Sequence, residues 1–156
     1  MKFNILSIFI IASIVFFINA RCPQNVEDIH AVDSTNDQTE TAPQKQIILT
    51  ISVEEARLMI ESEKDNPNFK IIDVRTPSEY RSGLIDGAIN IDYNSSNFKT
   101  ALADLSKTNK YLIYCRSGNR SASALALMKD MGFLEVYNMS GGIIYWSSNN
   151  YPLTFF

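Results

Sequence analysis

The stretch Tyr111-Leu112-Ile113-Tyr114-Cys115-Arg116-Ser117-Gly118-Asn119-Arg120-Ser121 decides the fold. Its first four residues form the most apolar of the predicted strands. They predict the centre of a sheet, because a continuous apolar run is typical of a strand covered on both faces. A short polar loop follows, and residues from about Ser121 to Met131 then have the pattern of a helix ended by Gly132. Strand, loop and helix in this order are the repeating unit of an α/β sheet.

The same alternation continues on both sides of this stretch. Two of the predicted helices begin with a capping box, in which Ser or Thr is followed three residues later by Glu. The predicted elements are strands at 47–50, 70–74, 88–91 and 134–137, and helices that follow Ser52 and Thr76, span Phe98 to Leu105, or contain Trp146. We therefore predict an α/β fold with a mostly parallel five-stranded sheet and helices on both faces.

Composition excludes several classes of protein. The chain has 156 residues, of which 46% are apolar and 20% charged. These values are those of one globular domain, or of one domain with a tail, and they exclude wholly disordered, collagen-like and multi-pass membrane proteins. The net charge of -3 is mild and of the wrong sign for binding nucleic acid. We therefore expect no nucleic-acid partner.

The first 20 residues predict a secretory signal. Residues 5–18 form a run of 14 apolar or small residues behind Lys2, and Ala20 offers a small side chain for cleavage. A membrane span needs about 20 apolar residues, whereas a signal core needs roughly 7 to 15. We expect an exported protein of the periplasm or cell envelope. An uncleaved anchor, or a lipid on Cys22, stays open as a way of attaching it to a membrane.

Residues 21–46 predict a flexible polar linker, because they hold few large apolar side chains. The only histidine, His30, lies in this linker. The predicted domain at 47–156 therefore has one cysteine, Cys115, and no histidine with which a nucleophile could be paired. Two cysteines and one histidine also build neither a four-ligand zinc site nor a disulfide framework. We expect no metal and no organic cofactor.

Cys115 is the candidate nucleophile, since it lies where the central strand ends and a helix begins. Ligand sites of parallel sheets lie at this edge. The backbone N–H groups of a tight loop before a helix form an anion-binding nest, which favours thiolate over thiol. Gly118 allows the turn, and Arg116 and Arg120 add positive charge for an anionic substrate. A small buried cysteine of the core is the alternative, but two arginines beside it are not core surroundings.

Two reactions use such a thiolate. A cysteine-based phosphatase has five residues between its cysteine and arginine, whereas four residues separate Cys115 from Arg120. Sulfur transfer is the other reaction, and a preformed thiolate needs no base to attack a sulfane sulfur. The missing histidine is then no handicap.

The domain at 47–156 resembles a single-domain rhodanese. The similar segments are Ile72-Asp73-Val74-Arg75 with Glu79-Tyr80, Gly83 to Ile91, Cys115 to Ser121, and Gly141 to Trp146 with Tyr151-Pro152-Leu153. Leu84 stands where this family often has histidine. The resemblance implies a rhodanese fold and a cysteine that carries sulfur as a persulfide. A six-residue loop goes with sulfur transfer in this family, and a seven-residue loop with its phosphatase relatives.

The resemblance also implies roles for single residues. Cys115 would be the nucleophile and sulfur carrier, and the amides of Arg116, Ser117, Gly118, Asn119 and Arg120 would cradle the outer sulfur. Arg116 and Arg120 would attract a small anionic donor such as thiosulfate. Asp73 and Arg75, as possible supports behind the site, are expected to make structural contacts with Glu79 or the backbone.

The predicted function is therefore sulfur transfer from thiosulfate or a related donor to a thiol, cyanide or a protein acceptor. A sulfur carrier that turns over poorly, or a cysteine-based phosphatase or arsenate reductase, stays open as an alternative.

Overall fold

Strands and helices alternate along residues 44–156, the part of the chain that the computed structural model describes. The strands are β1 Ile47–Ile51, β2 Phe69–Asp73, β3 Ala88–Asn90, β4 Lys110–Tyr114 and β5 Glu135–Met139. The helices are α1 Val53–Glu63, α2 Pro77–Arg81, α3 Phe98–Ala103, α4 Asn119–Asp130 and α5 Gly142–Ser148. The predicted signal at 1–20 lies outside the described residues, as do Cys22, His30 and the linker up to residue 43.

The five strands form one sheet in the order β1-β5-β4-β2-β3, and every pair of neighbours is parallel. The predicted fold class is confirmed, with β4 at the centre as its apolar sequence indicated. The carboxyl ends of all five strands therefore lie at one edge of the sheet, and the loop after β4 is at the middle of that edge.

Helices cover both faces of the sheet. Val53 and Ala56 of α1 pack with Trp146 of α5 on one face. Side chains of α3 and α4 pack on the other face, where they meet alternate residues of β4. Successive strand residues point to opposite faces, so Tyr114 belongs to the α1 and α5 side and Cys115 to the α3 and α4 side.

Both predicted capping boxes are present. Ser52 and Glu55 close the start of α1. At the start of α2, the backbone N–H and hydroxyl of Thr76 donate to Oε2 of Glu79 at 3.1 and 3.0 Å, and the Glu79 N–H donates to Thr76 Oγ1 at 3.3 Å. The second box holds the Glu79 carboxylate in place, and this carboxylate also binds Arg120.

The helix after β4 begins earlier than its sequence predicted. Asn119 and Arg120 form the first turn of α4, whereas the pattern of apolar residues placed its start near Ser121. The N-cap is Gly118, which has a left-handed backbone (φ 98°). Within residues 44–156, no helix is both long enough and apolar enough to cross a membrane.

Candidate active site

Cys115 lies directly after the central strand, at the N-terminus of α4. Only 1% of its surface is exposed, and Gly118 and Ser121 beside it are also buried. The first N–H groups of a helix have no partner inside the helix, so they are available to an anion at its start. The thiol therefore lies where the backbone offers unpaired donors.

Two donors of the structure reach the sulfur directly. The Gly118 N–H donates to Cys115 Sγ at 3.1 Å, and the Ser121 hydroxyl oxygen lies 3.5 Å from the same sulfur. The same hydroxyl is 3.1 Å from the Gly118 carbonyl oxygen. A hydroxyl carries one hydrogen, so Ser121 donates to one of these acceptors at a time. A negative charge on the sulfur would favour the first of them.

These donors set the acidity of the thiol. Burial alone raises the pKa of Cys115, since an apolar environment disfavours the thiolate. Hydrogen bonds from Ser121, Ser117 and Gly118 outweigh it, and the pKa of the Cys115 thiol lies below its ordinary value. The site can therefore hold a thiolate without a neighbouring base.

Arg120 is paired with a carboxylate. Its Nη1 and Nη2 donate to the two carboxylate oxygens of Glu79 at 2.8 and 2.7 Å. The Arg120 bonds, and the α2 cap contacts with Thr76, lower the pKa of Glu79 to about 2 against a smaller opposing effect of burial. The pKa of Arg120 is raised, first by Glu79 and more weakly by the Cys115 sulfur. The Arg120 guanidinium is thus paired with Glu79 and is influenced by the Cys115 sulfur only weakly.

The two arginines of the loop have different surroundings. Arg116 is exposed and, within residues 44–156, makes no salt bridge, whereas the charge of Arg120 is compensated by Glu79. Glu79 is a site residue that sequence reasoning missed. Its spacing from Thr76 marked it as a helix cap, but no local pattern indicates a partner 41 positions later in the chain.

The remaining predicted loop residues differ in their relation to the sulfur. The Gly118 N–H donates to the sulfur at 3.1 Å, and the backbone N–H of Ser117 contributes to the lowered pKa of Cys115. Asn119 is an exposed residue of the first turn of α4, and in the described part of the chain no hydrogen bond joins it to Cys115. The hydrogen bonds to the sulfur thus come from Gly118 and Ser121, and the backbone of Ser117 adds to the lowering of the Cys115 pKa.

Asp73 and Arg75 form a buried ion pair with each other. Nε and Nη2 of Arg75 donate to the Asp73 carboxylate at 2.6 to 3.0 Å, and Nη2 also donates to the Gly83 carbonyl at 2.6 Å. The expected contact with the backbone is present. The other partner that was open, Glu79, is occupied by Arg120 and the α2 cap. Among the described residues, no hydrogen bond joins Asp73 or Arg75 to Cys115.

The start of α5 packs against the backbone of the loop that begins at Cys115. The N–H groups of Ile143 and Ile144 donate to the carbonyls of Cys115 and Arg116 at 2.9 and 3.2 Å. A Cβ at Gly142 would overlap both carbonyls and would lie 2.6 Å from the Arg116 oxygen. Glycine is therefore required at 142 for this close approach.

A cleft of about 240 Å³ opens beside the loop, between α2 and α5. Ile143, Ile144 and Leu153 are its apolar lining residues, and Arg75, Glu79 and Arg116 are its charged ones. No group of three or more His, Cys, Asp or Glu side chains within residues 44–156 is placed to hold a metal ion.

The family model and the similar proteins all indicate the same family. Residues 52–149 match the rhodanese-like domain. The chain is 33% identical to a sulfurtransferase of Allochromatium vinosum, over 57% of this chain and 81% of that protein. It is 38% identical to the thiosulfate sulfurtransferase GlpE of Pseudomonas entomophila, over 53% of this chain and 72% of that protein.

Some similar proteins are much longer. The chain spans 26% of the probable adenylyltransferase/sulfurtransferase MoeZ of Mycobacterium tuberculosis, at 36% identity over 66% of this chain. Among solved structures, a rhodanese-related protein of Thermoplasma volcanium superposes with a TM-score of 0.56 at 28% identity, over 67% of this chain and 96% of that one.

Proposed function

This chain belongs to the rhodanese-like domain family, and on that basis we propose that Cys115 carries a sulfane sulfur from thiosulfate or a related donor to a thiophilic acceptor. Its sulfurtransferase relatives support a rhodanese-type transferase at the level of the family. What we propose beyond the family is the type of sulfur donor, the persulfide on Cys115 and the type of acceptor.

One observation carries the proposal: the Cys115 sulfur lies within a cradle of N–H and O–H donors in a domain that has no histidine. Donors fixed around a sulfur stabilise its anion without accepting a proton. Attack on a sulfane sulfur needs only that anion, because the leaving group departs with its own negative charge.

The reaction has two half-reactions. In the first, the Cys115 thiolate attacks the outer sulfur of thiosulfate. A sulfur–sulfur bond forms to Cys115, the bond inside thiosulfate breaks, and sulfite leaves with the electron pair. In the second, cyanide or a thiolate attacks the terminal sulfur of the persulfide. Thiocyanate or a new persulfide leaves, and the Cys115 thiolate is restored.

The residues of the loop have separate parts in this scheme. The N–H groups that hold the thiolate also face the outer sulfur of the persulfide, which carries the charge after the first step. Arg116 is exposed at the mouth of the site and attracts the anionic donor. Arg120 has a smaller part, because Glu79 compensates its charge.

The test is the intact mass of the full chain after incubation with thiosulfate and removal of the excess. We expect a gain of one sulfur atom, which cyanide removes as thiocyanate. Cys115→Ser should show no gain, and it retains Cys22 as a control for sulfur bound elsewhere. The proposal fails if the unaltered chain gains no sulfur, or if the Cys115→Ser chain gains it equally.

Turnover then separates an enzyme from a carrier. Steady production of thiocyanate over many cycles supports a sulfurtransferase, whereas one stoichiometric transfer supports a non-turnover carrier. Cys115-dependent hydrolysis of a phosphate ester, without persulfide, would support the phosphatase alternative.

We also propose that the chain is exported to the periplasm or cell envelope, on the strength of the apolar run at 5–18 and Ala20. N-terminal sequencing of the protein from an envelope fraction tests this. A mature chain that begins at about residue 21 supports a cleaved signal, and an intact N-terminus in the cytoplasmic fraction contradicts it.

A further inference from the structure

Strand β1 is an edge of the sheet, and its outer side has no backbone partner within residues 44–156. On its inner side it pairs with β5, where the Ile47 N–H donates and the Ile51 carbonyl accepts. Neighbouring residues of a parallel strand direct their backbone groups to opposite sides. Ile48 and Thr50 therefore point their N–H and C=O groups away from β5. Two donors and two acceptors are open along this edge.

The β1 edge lacks the features that keep edge strands from pairing. Natural edge strands are very short, or they carry lysine, proline or an inward-pointing charge. β3, at the other edge, has only three residues. β1 has five, Ile-Ile-Leu-Thr-Ile, with no charge, proline or glycine among them. Ile47 and Leu49 lie on its α1 and α5 face and are 40% and 50% exposed, so an apolar row follows the open edge.

The sequence of β1 is complementary to itself in one antiparallel register. When Leu49 lies opposite Leu49 of a second copy, Ile48 lies opposite Thr50, and these are the two residues with open backbone groups. Each pair of Ile48 and Thr50 then exchanges two hydrogen bonds, so four form between the copies. Ile47 lies opposite Ile51, which makes the row on the α1 face apolar on both chains.

We infer that β1 joins two copies of this chain, edge to edge, into one continuous sheet. The same strand of each copy pairs about a twofold axis at Leu49, so the contact closes after two chains. The ladder brings the exposed Lys45 toward the start of α1 in the second copy, where Glu55 has no basic partner among residues 44–156. This contact does not depend on Cys115, because β5 lies between β1 and the strand that Cys115 follows.

The first test is the mass of the full chain in solution. Four hydrogen bonds and one apolar row make a contact smaller than the roughly 1,200 Å² at which stable interfaces begin, so we expect a dimer in exchange with its monomer. Sedimentation between roughly 1 and 100 µM should show a mass that rises toward that of two chains. A chain that stays monomeric over this range overturns the inference.

Two lysine variants assign the association to β1. Leu49 and Leu58 are both 50% exposed, and Leu58 lies on α1. Leu49→Lys places like charges opposite each other at the axis and removes apolar contact, so it should raise the dissociation constant of the dimer about tenfold. Leu58→Lys should leave that constant unchanged. The apolar run at 5–18 is the same in both variants, so equal constants would assign the association to another surface and overturn the inference.

A cysteine variant tests the register. Residues opposite each other in a pair without hydrogen bonds have α-carbons about 4.5 Å apart, which a disulfide can span. The variant also carries Cys22→Ser, so that the buried Cys115 is its only other thiol. Under mild oxidation Leu49→Cys should give a dimer in which position 49 is joined to position 49. Leu58→Cys, in the same background, should stay largely unlinked. Equal yields of linked dimer contradict the register.

Amide hydrogen exchange distinguishes a second copy from another segment of the same chain. The amides of Ile48 and Thr50 should exchange fast in dilute solution and become protected as the concentration rises. The amide of Ile47, which is bonded on the β5 side, should be protected at every concentration. Protection of Ile48 and Thr50 that is independent of concentration would mean that residues 1–43 cover the edge, and it overturns the inference. Fast exchange of both amides at every concentration overturns it as well.

Discussion

Gly142→Ala should damage both the stability and the activity of the domain. Gly142 begins α5 with a left-handed backbone (φ 57°), and its α-carbon faces the carbonyls of Cys115 and Arg116. A Cβ there would lie 2.6 Å from the Arg116 oxygen, about 0.8 Å closer than the 3.4 Å at which ordinary contact begins. Backbone surrounds the Cβ, so either α5 or the loop must move.

The magnitude follows from two effects. An alanine in the left-handed region costs about 1 to 2 kcal/mol. Moving α5 also weakens the two hydrogen bonds from Ile143 and Ile144 to the loop carbonyls, each contributing about 1 kcal/mol. We expect Gly142→Ala to lower the free energy of unfolding by about 3 to 4 kcal/mol. A shift of the loop near 1 Å would reduce kcat/KM about 100-fold.

Gly132→Ala is the matched control. Gly132 also has a left-handed backbone (φ 84°), but a Cβ there would meet nothing within 4 Å. It should therefore lose only the 1 to 2 kcal/mol of backbone strain and keep its activity. Urea unfolding and persulfide loading of both variants are the measurements. The reasoning is refuted if Gly142→Ala is no less stable than Gly132→Ala, or if it loads sulfur at the rate of the unaltered chain.

Three further perturbations have defined outcomes. Ser121→Ala removes a donor and should raise the pKa of Cys115, so the pH midpoint of iodoacetamide alkylation moves upward; an unchanged midpoint contradicts this. Because the pKa of Glu79 falls from 4.5 to about 2 on folding, its stabilisation is complete above pH 4.5 and disappears toward pH 2. Urea unfolding at several pH values should show a weaker acid dependence for Glu79→Gln, and an identical dependence excludes the Arg120 pair as its cause. Asp73→Asn leaves a guanidinium buried without its counterion and should cost about 3 to 5 kcal/mol in urea unfolding; a loss under 1 kcal/mol contradicts the structural role.

The fold was predictable because its signals are local. Four apolar residues before Cys115 indicated a central strand, and two capping boxes located the starts of α1 and α2. The start of α4 was placed too late, because apolar periodicity begins only after the polar first turn. The conformation of Gly118, and not the pattern of apolar residues, determines where that helix begins.

The site was predictable only in part. The position of Cys115 between a strand and a helix predicted hydrogen-bond donors around its sulfur, and the structure places Gly118 and Ser121 there; that Cys115 is the nucleophile stays a prediction. The partner of Arg120 did not follow, because Glu79 reaches it from another helix. Nor did the contact of α5 with the loop, since two adjacent glycines indicate a turn but not what approaches it.

Because Glu79 is paired with Arg120, a negative charge on the Cys115 sulfur would be stabilised mainly by backbone N–H groups and less by the charge of the Arg120 side chain. Arg120 alone would attract the sulfur anion, but the same guanidinium is shared with a carboxylate that is held by the α2 cap. An incoming anion can displace such a side chain, whereas it cannot displace the N–H groups of Ser117 and Gly118. Donors that neither move nor titrate therefore stabilise an anion at this sulfur more reliably than a side-chain charge does. In the reaction we propose, those donors take the place of a base, and the domain at 47–156 has no histidine that could be one.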